Sequence, residues 1–193
     1  MKKILVTILI IFSIIYIYLL TIDKKIYYLA FTNNPEEYSN SLAKYLDKSN
    51  KLEKYINGFS DSNSRVYDYI NKIKENEEIV INNKKTSIKN ALIKADLITI
   101  SLNIQDIEYY INSIDNYIVY KKDIELLLSL IRQYSKEDIY MVGFNNGNNN
   151  EKFIKFNNDL KELCKTYNII YLDLFENNSK KYIINKITLQ VLN

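Results

Sequence analysis

Of the residue types that do chemistry near neutral pH, this chain holds few. It has no histidine and one cysteine, Cys164. That excludes the usual zinc ligand sets, a histidine general base and an internal disulfide framework. Cys164 falls on the apolar side of a predicted helix and reads as core packing rather than as a reactive thiol. What remains is a set of short polar side chains at the ends of apolar runs. Thr32, Asn33 and Asn34 follow IYYLAF, Asp61 and Asn63 follow Gly58, and Asn103, Gln105 and Asp106 follow DLITISL. Asp61 and Asp106 supply two carboxylates, the residue type of glycoside chemistry, but their spacing does not single out that reaction. Asn34 has two compatible readings. It is a ligand contact in a strand-to-helix crevice, or the N-cap of a helix entered at Pro35 with Glu36 and Glu37 in its first turn. Asp61, Asn63, Gln105 and Asp106 read either as crevice lining or as loop residues satisfying turns. No cofactor and no metal site is expected.

The elements that must position these residues alternate between strand and helix signals, which predicts an α/β domain with a parallel sheet covered on both faces. Residues 26–31 form the first strand, and Tyr38, Leu42, Tyr45 and Leu46 keep helical spacing behind it. A second strand is expected near 52–59. Val66, Tyr69, Ile70 and Ile73 then mark a helix, and 78–85 a small β-excursion turning on two asparagines. Ser87 or Thr86 caps a short helix that ends near Ala95. DLITISL (96–102) is the clearest buried strand. A helical stretch from about Asp106 to Tyr134 is expected to break near Tyr117, with Ile124, Leu127, Leu128 and Ile131 as its core face. DIYMVGF (138–144) and IIYLDLF (169–175) are the last strands. Between them runs a helix lined by Phe153, Phe156, Leu160, Leu163, Cys164 and Tyr167. The tail from Ser179 is apolar and β-prone.

Taken in this order, the blocks resemble the SGNH (GDSL-type) hydrolase family, especially its membrane-anchored members, from about Ile26 to Phe175. The resemblance implies a three-layer αβα fold with a five-stranded parallel sheet. It also implies a catalytic serine after the first strand, an oxyanion hole from later blocks and a late Asp-x-x-His. The catalytic motifs themselves are degenerate. Where the family places Gly-Asp-Ser, this chain has Thr32, Asn33 and Asn34; Asn63 stands at the oxyanion glycine; Asn103 and Gln105 replace a glycine and an asparagine, and only Asp106 is kept. The resemblance therefore implies a pseudoenzyme, because an amide nitrogen is no nucleophile and no histidine exists to activate one. Two other expectations stand beside it. One is an active hydrolase of envelope lipid or glycan esters using an unconventional residue set. The other is a structural component of an envelope or spore-coat assembly.

Ahead of this domain, Ile4 to Ile22 carries no charge and matches the length of about 20 residues that a bilayer-crossing helix needs. Lys2 and Lys3 precede it, and no small-x-small cleavage site follows. The expected organisation is a retained signal anchor over residues 1–25 and one SGNH-like domain over 26–193, held outside the cytoplasm at the cell membrane. Envelope glycan, lipid or protein are the expected partners. A net charge of +3 on 193 residues is too small to suggest nucleic-acid binding.

Overall fold

The computed structural model describes residues 25–32, 38–60, 63–81, 83–144, 151–174 and 179–191. The apolar run at 4–22, Asn33, Asn34 and Asp61 lie outside the described residues.

Five parallel strands make the central sheet: β1 (Ile26–Phe31), β2 (Leu52–Ile56), β5 (Leu97–Ser101), β6 (Asp138–Val142) and β7 (Ile170–Leu172). Their order across the sheet is β2-β1-β5-β6-β7. A separate antiparallel hairpin joins β3 (Glu78–Ile81) to β4 (Lys84–Ser87). Seven helices are described: α1 (Ser39–Lys48), α2 (Val66–Glu75), α3 (Ile88–Lys94), α4 (Ile104–Tyr110), α5 (Ile114–Tyr134), α6 (Glu151–Thr166) and α7 (Lys180–Val191).

The layering follows from the alternation of side chains along each strand. All six residues of β1 are buried, as a central parallel strand requires. Leu29 and Phe31 point into one core, with Ile98, Ile100 and Met141, and α2, α3, α5 and α6 close that side. Tyr28 and Ala30 point into the other, with Leu97 and Tyr140, under Leu42 and Leu46 of α1 and Ile183 and Ile187 of α7. The result is a three-layer αβα domain.

Local signals explain most boundaries. Val66, Tyr69, Ile70 and Ile73 are all buried on α2, as their spacing predicts. The Ser87 side chain accepts the Asn90 amide at the start of α3. Asn50, Asn76, Asn83 and Asn168 have positive φ and stand at turns where glycine is the commoner choice. Only three glycines are present, and Gly143 is held by close approach. A Cβ there would collide with the Tyr171 ring, whose hydroxyl donates to Asn157 Oδ1 at 2.7 Å.

Three expectations are corrected. The break in the long helical stretch falls at residues 111–113, and Tyr117 lies inside α5. There Asn112 donates to the Glu108 carbonyl and Ser113 adopts extended backbone. The tail from residue 180 is a helix despite its β-branched residues, because Ile183 and Ile187, one turn apart, bury against the sheet. The second and last strands are shorter than predicted, ending at Ile56 and Leu172.

Arg132, near the end of α5, staples that helix to the turn between α6 and β7. Its guanidinium donates to the carbonyls of Tyr167 at 3.0 Å, Asn168 at 2.6 Å, Glu137 at 3.0 Å and Ser135 at 3.3 Å. A lysine ammonium cannot reproduce this planar fork. Arg132→Lys should lower unfolding free energy by about 2 kcal/mol and Arg132→Ala by somewhat more, read by urea unfolding. Equal stability of all three chains would show that the staple contributes nothing.

Candidate functional site

In an open parallel sheet, ligands bind beyond the carboxyl ends of the strands where the winding direction reverses. Here the chain leaves β1 toward β2 and later returns on the far side of β1 to form β5. The switch point therefore lies between the ends of β1 and β5, at Thr32 and Ser101.

Hydroxyl hydrogen bonds tie the segments that meet there. The Ser101 hydroxyl donates to Thr32 Oγ1 at 3.0 Å. The Thr32 amide donates to Ser60 Oγ at 3.1 Å, just after β2. Thr32 is fully buried, so it is not presented at the surface. A longer link runs above these. Arg65 Nε lies 3.4 Å from Asp106 Oδ1, joining the start of α2 to the first turn of α4. The Arg65 amide in turn donates to Asp68 Oδ2 at 2.8 Å, which helps fix the N-terminus of α2.

The other sequence-predicted residues divide by role. Asn103 is the N-cap of α4, its side chain accepting the Gln105 amide at 2.8 Å. Gln105 and Asn63 are exposed. Asp106 is 5% exposed, and its Oδ2 is buried without a hydrogen-bond partner among the described residues. Thr32 thus sits just after β1 and Asp106 in the first turn of α4, after β5, on the two segments that follow the strands at the switch point. With Asp61 outside the described residues, the paired-carboxylate reading has only its Asp106 half in view.

Burial pushes the Asp106 carboxyl above its ordinary range, and the Arg65 guanidinium and Val66 amide offset part of that. Its neighbour Tyr120 has a buried hydroxyl that also lacks a hydrogen-bond partner among the described residues, and burial and the Asp106 charge both raise that phenol. Tyr110 stacks on Tyr120 with ring centroids 4.5 Å apart, so the carboxylate lies against an aromatic wall.

Chemically, the described residues of this arrangement donate and accept hydrogen bonds among themselves. Ser101 and Thr32 hydroxyls are bonded to each other, and serine needs an adjacent base to attack. Cys164 is fully buried and its thiol is pushed up to about 12. No cluster of three metal-ligating side chains occurs among the described residues.

Ser60, Ser101 and Arg65 were not visible as site residues in the sequence. Arg65 carried a signal, being one of only two arginines among 26 basic residues. Asn157 was also missed. It is 4% exposed and exchanges bonds with the Phe144 backbone, accepting its amide at 2.9 Å and donating to its carbonyl at 2.7 Å. Its clue is position, since it shares the buried face of α6 with Phe153, Phe156 and Leu160.

Compared with known proteins, the chain matches no family model, and no curated protein is significantly similar to it.

The Asp106 environment gives a signed pH dependence. Because the folded carboxyl keeps its proton to higher pH than the unfolded one, the folded state binds more protons between the two ionisations. Stability should therefore fall as pH rises through that window. Asp106→Asn removes this contribution, so wild-type stability relative to the variant should decline from pH 4 to pH 7, measured by urea unfolding at each pH. A relative stability that rises with pH would mean that the Arg65 attraction outweighs burial.

Proposed function

We propose that this protein is a membrane-anchored, extracytoplasmic SGNH-like pseudoenzyme, which binds a ligand or partner at the cell envelope without hydrolysing it. The observation that carries this reading is the pairing of Ser101 with Thr32 at the switch point in a chain without histidine. The hydroxyls nearest the ligand-binding end of the sheet hold one another, and no base among the described residues is bonded to either. Strand order supports the fold side of the proposal, since β2-β1-β5-β6-β7 is the 2-1-3-4-5 order of flavodoxin-like sheets. Exposed Asn63 and Gln105 favour a binding crevice over one plugged by side chains, and so favour a ligand-binding role over a purely structural one.

Among the described residues, no helix is long and apolar enough to cross a membrane; the anchor is proposed from the charge-free run of residues 4–22. Only Asp23, Lys24 and Lys25 separate that run from β1, a reach of about 14 Å at most. A six-residue strand is roughly 20 Å long. The N-terminal end of the sheet therefore lies next to the bilayer and the crevice points away from it, toward the envelope.

Two measurements test the proposal. The full chain in mild detergent should show no turnover of small acyl esters or acetylated glycans above a denatured control, and Asn34→Ser should not restore any, because no base is supplied. Robust turnover lost on denaturation would sink the pseudoenzyme reading, and Asp106 would be the first residue to replace. For topology, a C-terminal alkaline phosphatase fusion should be active in cells. An inactive but intact fusion would place the domain in the cytoplasm.

A further inference from the structure

Behind the Arg65–Asp106 link, hydrogen-bonding capacity is left unused. Asp106 is 5% exposed and Tyr120 1%. Asp106 Oδ2 and the Tyr120 hydroxyl are both buried without a hydrogen-bond partner among the described residues. Such atoms cost free energy until a partner meets them. The two are neighbours, since the Asp106 charge acts on the Tyr120 phenol. A carboxylate oxygen beside a phenol oxygen can accept N–H donors from one incoming group.

Arg65 fills this role only in part. Its Nε lies 3.4 Å from Asp106 Oδ1, against roughly 2.8 Å for a charge-assisted hydrogen bond. With Oδ2 unpaired, the guanidinium does not grip the carboxylate with both arms of its fork. The Arg65 side chain is 56% exposed, and a half-solvated pair of this kind is held weakly. Local charge still favours a cation with Arg65 in place. The carboxylates of Asp106, Asp68 and Asp123 face Arg65 and, on the Asp123 side, Lys74. Beside them Tyr110 stacks on Tyr120 at 4.5 Å, and the exposed Tyr109 ring meets Tyr110 edge-on at 5.0 Å. Carboxylates set among aromatic rings suit a protonated amine or guanidinium.

We infer that Asp106 anchors a cation site in the switch-point crevice and that Arg65 is its resident occupant. The ligand is a protonated amine or guanidinium that displaces Arg65 and brings N–H donors to Asp106 Oδ2 and the Tyr120 hydroxyl. Its class rests on the reading of this crevice as a binding site, proposed above. An anion would have to approach Arg65 past three carboxylates, whereas a cation of the same chemistry as Arg65 meets a site already made for it.

The chain has two arginines, Arg65 and Arg132, so the isotope-labelled full chain in mild detergent gives two arginine Nε–H signals. Arg132, bonded to four carbonyls, is the internal control. Agmatine should move the Arg65 signal to the position of a free arginine side chain and leave Arg132 in place. Choline, a cation without N–H donors, should bind about tenfold more weakly or worse. Glucosamine, set against neutral N-acetylglucosamine, shows whether a sugar amine also enters. Ligand-observed titration of variants then gives a sign. Arg65→Ala removes the competitor, so agmatine should bind about fivefold tighter or more, while Asp106→Asn should weaken it about tenfold and Tyr120→Phe severalfold. An unshifted Arg132 signal shows that each variant is folded; if Asp106→Asn fails that check, Arg65→Ala and Tyr120→Phe carry the test. An Arg65 signal unmoved by agmatine and by glucosamine would overturn the inference, as would equal binding of choline. Binding of acetate or phosphate that is lost in Arg65→Ala would replace it with an anion site. Ester turnover would sink the pseudoenzyme reading and leave these readouts in place, so the two failures are distinguishable.

Discussion

Everything in this domain depends on burying β1 from both sides. A strand with water on neither face must send alternate residues into two separate cores, and Tyr27, Leu29 and Phe31 enter one while Ile26, Tyr28 and Ala30 enter the other. A slip of one residue against β5 would exchange these sets. The register is fixed by packing and by polar contacts, among them the 2.8 Å hydrogen bond between the Tyr28 and Thr99 hydroxyls inside the sheet and the Tyr27 amide donating to Asp96 Oδ2 at 2.9 Å. With Ala30 opposite Thr99 and Phe31 opposite Ile100, Thr32 is delivered to the end of the sheet beside Ser101. The crevice is therefore a consequence of how the core is packed.

That origin also accounts for the polar contacts at the switch point. The buried polar groups at the switch point are placed to satisfy strand ends and helix starts: Thr32 and Ser101 bond each other, Asn103 caps α4, and Asp106 faces Arg65. Buried polar atoms are costly unless paired, and pairing them within the fold leaves few groups for chemistry. Among the described residues near it, Asp106 Oδ2 and the Tyr120 hydroxyl are buried without a hydrogen-bond partner.

The sequence showed the scaffold more clearly than the contacts. Periodicity placed α2 through Val66, Tyr69, Ile70 and Ile73, and the apolar run at 96–102 gave β5, because both signals are local. The tail was misread for a physical reason. Ile183, Ile184, Ile187 and Thr188 favour strands by propensity, and burial of one helical face against the sheet overrides that preference. Ser60, Ser101 and Arg65 escaped notice because their partners are remote in sequence; Ser101 and Thr32 are 69 residues apart. Isolated hydroxyls among so many polar residues carry no local mark of such a pairing.

The asparagines at Asn50, Asn76, Asn83 and Asn168 bear on the chain before it folds. Each takes a left-handed conformation that glycine reaches without steric cost. In exchange, a side chain at each turn narrows the conformations open to the unfolded polypeptide, where glycine would widen them. A domain with three glycines thus starts from a less disordered unfolded ensemble and loses less chain entropy at its turns. Part of its stability then resides in what the unfolded state is denied, with no counterpart among the contacts of the folded one.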